Sequence, residues 1–214
     1  MDSNQKLTHS EHKMNNPTPR HIGLLGGTFD PIHNGHLLVA ATVAQECQLD
    51  EICFIPTQHT VTKQEQHGAN PEDRYAMTLL ATINNPHFTV SRVDIERQTT
   101  TYTIDTLHDI KKQHPTDHLF FIIGADNFNT FYEWKNYQTI PLLTHLIVVT
   151  RPGYALRPCE EIGLTRENIT FLTIPALDIS STMIRERLHH HQTIHYLVPD
   201  PVNAYIQKKG LYLS

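Results

Sequence analysis

The chain has 214 residues, of which 39% are hydrophobic, which is enough to bury the core of one domain of ordinary size. Its formal net charge is −5 with the 16 histidines neutral, and its lysines and arginines are scattered, so we expect no nucleic-acid-binding surface. No apolar run approaches the roughly 20 residues that a membrane span requires. Because Cys47, Cys53 and Cys159 form no CxxC pair, the sequence predicts a cytoplasmic protein with reduced thiols.

Polar residues dominate the first 20 positions, which lack an apolar segment, and we predict a disordered arm there rather than a secretory signal. Beyond it, short apolar runs alternate with segments of helical pattern. The runs predicted as strands are residues 21–26, 51–56, 88–95, 118–124, 145–150 and 169–175. The predicted helical segments are residues 35–47, 71–85, 102–114, 178–191 and 198–210, with a loop and a short helix over residues 125–140.

This alternation is typical of a parallel sheet that is covered by helices on both faces. We therefore predict an α/β fold with a doubly wound parallel sheet over residues 21–176 and a small helical subdomain over residues 177–214. In such sheets, ligands bind beyond the carboxyl ends of the strands.

The segment GGTFDPIHNGH falls at such a strand end, directly before the first predicted helix. Gly26 and Gly27 permit a tight turn and a close approach of a ligand to the main chain. Gly35 begins a helix whose free amide groups favour negative charge. His33 and His36 are three residues apart, so they point to one side if the helix includes both. The pattern favours phosphate binding, while a metal site and an ordinary turn with two incidental histidines stay open as alternatives.

A second helix start, in the segment DISSTMIRERL, carries another set of anion-binding groups. Ser180, Ser181 and Thr182 provide hydroxyl and amide donors, and Arg185 provides a forked guanidinium one turn further on. An ordinary serine or threonine cap is the alternative interpretation. A chain with two such helix starts can hold both ends of a triphosphate.

Both segments resemble the two signatures of the nucleotidyltransferase superfamily with the HxGH motif, here His33-Asn34-Gly35-His36 and ISSTMIR. The segments IERQTTTYTIDTL, FFIIGAD, EWKNY, RPGY and VPDPVNAYIQKKGLY resemble bacterial nicotinate-nucleotide adenylyltransferases in particular. The resemblance runs from about His21 onward. It implies a Rossmann-like enzyme of NAD biosynthesis that transfers AMP from ATP to nicotinate mononucleotide. The products would be deamido-NAD and pyrophosphate, and Mg²⁺ would accompany ATP as the cofactor.

The same resemblance implies three sets of site residues and no metal held by the protein itself. The catalytic set is His33, His36 and Arg185. The ATP-binding set is Gly26, Gly27, Thr28, Phe29, His33, His36, Gly124, Asp126, Ile179, Ser180, Ser181, Thr182 and Arg185. The mononucleotide-binding set is Lys63, Tyr102, Thr103, Asp126 and Trp134. In the last set, the indole would stack on the pyridine ring, and backbone amides near Tyr102 would bind the carboxylate.

One segment departs from the family pattern, since TQHTVTK stands where the family usually has Pro-Pro-His-Lys/Arg and only Lys63 is retained. We expect a more mobile loop and weaker binding of the mononucleotide phosphate.

Two alternatives stay open for the function. One is adenylyl transfer to another phosphate acceptor, such as nicotinamide mononucleotide or phosphopantetheine. The other is a non-catalytic nucleotide- or metal-binding protein, which the altered loop and abundant histidine suggest. The sequence also leaves open a homo-oligomer.

Overall fold

A computed structural model of the chain describes residues 18–58, 68–153, 155–175 and 177–213. The strands are β1 (His21–Gly27), β2 (Glu51–Pro56), β3 (Phe88–Val90), β4 (His118–Gly124), β5 (His145–Thr150) and β6 (Ile169–Thr173). The helices are α1 (Asn34–Glu46), α2 (Pro71–Thr82), α3 (Thr103–Gln113), α4 (Ala125–Asn129), α5 (Ile140–Leu143), α6 (Ser181–His189) and α7 (Asp200–Lys209). Short 3₁₀ turns connect several of them.

The six strands form one parallel sheet in the order β3-β2-β1-β4-β5-β6. Successive strands are added outward from β1 to β3 on one side and from β4 to β6 on the other, so the strand order reverses between β1 and β4. This arrangement confirms the predicted doubly wound α/β fold. It also places a crevice at the carboxyl ends of β1 and β4, because the connections leave these strands toward opposite faces.

Two hydrophobic cores cover the two faces of the sheet, as the alternation of side chains along a strand requires. Adjacent residues Leu24 and Leu25 of β1 belong to different cores. The core on one face receives apolar side chains from α1, α2, α6 and α7, namely Ala40, Val43, Met77, Ile184, Leu188, Val202 and Ile206. The other core receives Ile104, Leu107 and Ile110 from α3. Helices α6 and α7, which fall in the predicted C-terminal subdomain, therefore share a core with the main sheet.

The third strand is shorter than predicted, since β3 ends at Val90 and not near Ile95. As an edge strand it pairs only with β2, and the Ser91 amide makes the last contact, to the Phe54 carbonyl at 2.9 Å. The chain then turns inward, and the buried carboxylate of Asp94 accepts a hydrogen bond from Thr106 of α3 at 2.6 Å. The prediction over residues 88–95 was wrong in length because these buried residues anchor a turn.

Residues 1–17 of the predicted N-terminal arm lie outside the described residues. Near its predicted boundary, the Arg20 guanidinium forms ion pairs with Glu51 at 2.9 Å and with Asp117 at 3.1 Å. Within the described ranges, no helix is long and apolar enough to cross a membrane.

Candidate active site

A cavity of about 520 Å³ lies at the carboxyl ends of β1, β4 and β5, where the strand order reverses. It brings together ten of the residues that the sequence singles out: Gly26, Gly27, His33, His36, Gly124, Asp126, Trp134, Ile179, Ser180 and Ser181. It does not include Thr28, Phe29, Tyr102, Thr103, Thr182 or Arg185 among its lining residues. Lys63 lies outside the described residues.

Glycines shape the turn around this cavity. A Cβ built on Gly35 would lie 3.0 Å from Nδ1 of His33, so a larger residue at the start of α1 would displace that ring. At Gly124, an added Cβ would meet no described heavy atom within 4 Å beyond its chain neighbours. The end of β4 therefore faces open space, which leaves room for a ligand beside the main chain.

His33 and His36 form a stacked pair at the start of α1. Their ring centroids are 3.7 Å apart with an interplanar angle of 23°, and the His33 amide donates to Nδ1 of His36 at 3.3 Å. Phe29 meets the His36 ring edge-on, with centroids 5.0 Å apart. Phe29 has a left-handed backbone (φ 50°) and is buried, so its ring packs against His36 from the hydrophobic core. The sequence placed Phe29 in the nucleotide loop, and the structure gives it this packing contact.

Burial keeps both imidazoles neutral near pH 7. It lowers the pKa of His33 to about 4. It also lowers the pKa of His36 to about 3, with a further contribution from repulsion by His33. Nδ1 of His33 is buried and has no hydrogen-bond partner within the described part of the chain. A neutral imidazole still offers one N–H donor, and a nearby anion would favour its protonated form.

The start of α6 opens on the same cavity as these histidines. Ser180 caps the helix, since its Oγ accepts a hydrogen bond from the Met183 amide at 3.1 Å. The Ser181 hydroxyl donates to the Pro31 carbonyl at 2.8 Å. One hydroxyl thus stabilises the helix end and the other ties it to the loop after β1, and both residues line the cavity.

Arg185 also binds the loop after β1. Its Nη1 donates to the Asp30 carbonyl at 2.7 Å and lies 3.9 Å from Oδ2 of the same residue, while Nη2 donates to the Thr182 hydroxyl at 3.3 Å. The structure therefore places Arg185 and Thr182 beside the cavity and not in its lining, with the Arg185 side chain three-quarters buried.

The residues predicted to bind the mononucleotide are spread over two places. Trp134 lines the cavity and packs against Phe131, with ring centroids 5.2 Å apart. Tyr102 and Thr103 lie instead at the start of α3. Lys135 follows the tryptophan directly, and its Nζ lies 4.2 Å from the centroid of the Tyr102 ring. Lys135 thus links the two places.

Arg151 is a cavity residue that our sequence reasoning did not select. It follows β5 directly, and its Nη1 lies 3.8 Å from the exposed Asp178 carboxylate. Its position at the carboxyl end of a predicted parallel strand was the signal that could have identified it. Among the described residues, no group of three or more His, Cys, Asp and Glu side chains is placed to hold a metal ion.

Comparison with known proteins places this geometry in a family. The family model described as Cytidylyltransferase-like matches residues 24–187. A protein of Clavibacter sepedonicus named "Probable nicotinate-nucleotide adenylyltransferase" is 51% identical over 92% of this chain and 96% of its own length. A protein of Acidothermus cellulolyticus with the same name is 48% identical over 89% of this chain and 93% of its own length.

Solved structures share the fold. The Plasmodium falciparum nicotinic acid mononucleotide adenylyltransferase, solved in complex with NaAD, aligns with a TM-score of 0.72 over 90% of this chain and 97% of that chain. Its sequence identity is 23%, so this likeness supports the fold alone. The family match and the two relatives near 50% identity carry the assignment. The chain belongs to the nicotinate-nucleotide adenylyltransferase family of cytidylyltransferase-like proteins.

Proposed function

We propose that this protein transfers AMP from ATP to nicotinate mononucleotide and releases deamido-NAD and pyrophosphate, as a cytoplasmic enzyme of NAD biosynthesis. One observation supports the proposal above the others. The histidine turn after β1 and the serine-rich start of α6 open on the same cavity, although they are about 150 residues apart in sequence. Two helix starts that face one cavity suit a chain of phosphates.

The reaction requires little covalent chemistry from the protein. An oxygen of the mononucleotide phosphate attacks the α-phosphorus of ATP and forms a new P–O bond. The bond from the α-phosphorus to the oxygen that bridges it to the β-phosphorus breaks, and pyrophosphate leaves with the electron pair. Because the attacking oxygen is already anionic, the protein supplies in-line positioning and stabilisation of charge.

In this proposal, His33 and His36 donate to the ATP phosphates from the start of α1. The phosphate charge would raise their low pKa values and favour protonation as the transition state gains charge. The main chain at Gly26 and Gly27 would approach the nucleotide. Ser181 and its neighbours at the start of α6 would bind the far end of the triphosphate. The remaining ATP-binding residues, with roles carried over from the family, are Thr28, Phe29, Gly124, Asp126, Ile179, Ser180, Thr182 and Arg185.

Mg²⁺ would enter this site with ATP. The cavity offers oxygen donors in Asp126, Ser180 and Ser181, which are compatible with a metal that is bound largely by the ATP phosphates. When bound, Mg²⁺ neutralises charge on the phosphate oxygens and the departing pyrophosphate.

The mononucleotide would lie between Trp134 and the start of α3. The indole face suits a cationic pyridine ring, and the backbone amides of Tyr102 and Thr103 suit a carboxylate. The Nζ of Lys135 lies next to the Tyr102 ring on the same side, and it is paired with the Asp105 carboxylate at 3.4 Å. A neutral amide cannot compensate for desolvating donors arranged around an anion, so we expect a preference for the nicotinate form.

The test is pyrophosphate release by the purified protein from MgATP and nicotinate mononucleotide, with deamido-NAD identified by mass spectrometry. Mixtures that lack either substrate are the controls. Release that requires both substrates supports the proposal. If ATP binds but no substrate concentration yields pyrophosphate, the proposal fails and the protein is a nucleotide-binding protein.

A further inference from the structure

Asp30, in the loop after β1, joins segments that are far apart in sequence. Its Oδ1 accepts hydrogen bonds from the Tyr212 hydroxyl at 2.6 Å and from the Ala69 amide at 2.9 Å. Its main-chain carbonyl accepts the 2.7 Å bond from Arg185, whose Nη1 also faces Oδ2. A Cβ built on Gly68 would lie 2.5 Å from Oδ2, so the carboxylate is enclosed on that side as well. Asp30 therefore has one well-defined orientation.

Tyr212 reaches Asp30 at a cost in backbone conformation. Helix α7 ends at Lys209 and is capped by the left-handed Gly210 (φ 66°), and two residues later Tyr212 again has a left-handed backbone (φ 64°). A left-handed non-glycine residue persists where the surrounding structure holds it in place. The Tyr212 side chain is 8% exposed, and it belongs to the core that also contains Phe29. Phe29, the residue before Asp30, is left-handed too (φ 50°). A left-handed backbone conformation, which is unfavourable for a side chain of this size, therefore occurs at Tyr212 and at the residue before Asp30.

The chain contains a second tyrosine–aspartate pair of the same kind, away from the loop after β1. Tyr205 of α7 donates to Oδ1 of Asp73 at 2.7 Å, and Lys209 lies 3.4 Å from the same oxygen. Asn70 caps the start of α2 by accepting from the Asp73 amide, and its side-chain amide donates to the Asp73 carboxylate. The two tyrosines make equivalent hydrogen bonds, but only the bond from Tyr212 is made to the residue that binds Arg185.

We propose that Tyr212 is a positioning residue for the reaction: by holding the Asp30 side chain, it fixes the residue whose main-chain carbonyl binds the Arg185 guanidinium at the edge of the cavity. The tyrosine itself touches no substrate and acts through the aspartate. This inference rests on the proposed function for its kinetic consequence. Its effect on ATP binding can be measured without turnover.

The experiment measures ATP binding by calorimetry and pyrophosphate release for five proteins: the unaltered chain, Tyr212→Phe, Arg185→Lys, the double variant and Tyr205→Phe. Phenylalanine keeps the ring and removes only the hydroxyl, so thermal unfolding should show a similar loss of stability for the two tyrosine variants. We expect Tyr212→Phe to weaken ATP binding or to lower kcat by about tenfold. The matched variant Tyr205→Phe should stay within about twofold of the unaltered chain.

The double variant separates a positioning role from a structural one. If Tyr212 acts through Arg185, then removing its hydroxyl in the Arg185→Lys background should change ATP binding and kcat by less than about twofold. Equal effects of Tyr212→Phe and Tyr205→Phe would overturn the inference, as would additive effects of Tyr212→Phe and Arg185→Lys. A protein that binds ATP without releasing pyrophosphate refutes the proposed function, while the calorimetric comparison still judges the role of Tyr212. A protein that does not bind ATP refutes both.

Discussion

The stacked histidine pair predicts how the stability of this protein depends on pH. In the folded chain, burial holds the pKa of His33 at about 4 and that of His36 at about 3, against an ordinary value near 6.5. Above pH 6.5 both rings are neutral in both states, so stability does not change on their account. Below pH 6.5 the unfolded chain takes up protons that the folded chain does not. The free energy of unfolding therefore falls as the pH falls from 6.5 toward 4.

The magnitude follows from the size of the two displacements. At pH 5.5, one unit below the ordinary value, each neutral histidine costs about 1.4 kcal/mol of stability. Both pKa values lie well below 5.5, so the two rings together cost at most about 3 kcal/mol. A difference of this size is a large fraction of the stability of an ordinary domain.

Urea unfolding at constant ionic strength, at pH 7.5, 6.5 and 5.5, measures this effect. The double variant His33→Asn/His36→Asn has no titrating ring at the site, and each asparagine can keep an acceptor near the Nδ1 position. We expect the unaltered chain to lose up to about 3 kcal/mol more than this variant between pH 7.5 and 5.5. His189→Asn, which removes an exposed ring at the end of α6, is the control and should match the unaltered chain. Parallel pH dependence in the unaltered chain and the double variant would show that the pair is not held neutral.

Three further predictions concern catalysis. His36→Ala should lower kcat for pyrophosphate release by about 10²–10³, the usual effect of losing one donor to a charged transition state. Near-normal turnover would assign His36 to packing alone. Arg185→Lys should lower kcat/KM for ATP by about tenfold, since a point charge cannot bind the Asp30 carbonyl and the Thr182 hydroxyl in a fixed plane; unchanged kinetics would contradict this role. Nicotinate mononucleotide should give a much higher kcat/KM than the nicotinamide form under matched conditions, and a ratio near unity would refute the selectivity.

The central strands could be predicted from the sequence because burial on both faces leaves a simple pattern. The predicted ranges 51–56, 118–124 and 145–150 coincide with β2, β4 and β5. Each is an almost uninterrupted apolar run, as expected for a parallel strand between two layers of helices. The edge strand β3 lacked this constraint. Its apolar pattern continues to Ile95, but that residue is buried below a turn and not in the sheet.

The cavity was partly predictable, because the position of a motif relative to a strand end is a local property. Gly26 lies at the end of β1 and His33 and His36 follow it, and the rule that ligands bind beyond the carboxyl ends of parallel strands placed them at the crevice. The orientation of Arg185 was not predictable in this way. Its contact with Asp30 joins residues 155 positions apart, and no local pattern records which carbonyl a guanidinium will reach.

The same long separation matters while the chain is being made. Tyr212 follows its partner Asp30 by 182 residues, and Arg185 follows it by 155. At the usual rate of synthesis of about 5–20 residues per second, on the order of 10 to 40 seconds pass between the synthesis of Asp30 and the synthesis of Tyr212. During that interval α1 and the first strands can form and the Ala69 amide can reach Asp30, but the loop that bears the histidines still lacks its contacts with Arg185 and Tyr212. Completion of the candidate nucleotide site is therefore expected among the last steps in the folding of the nascent chain.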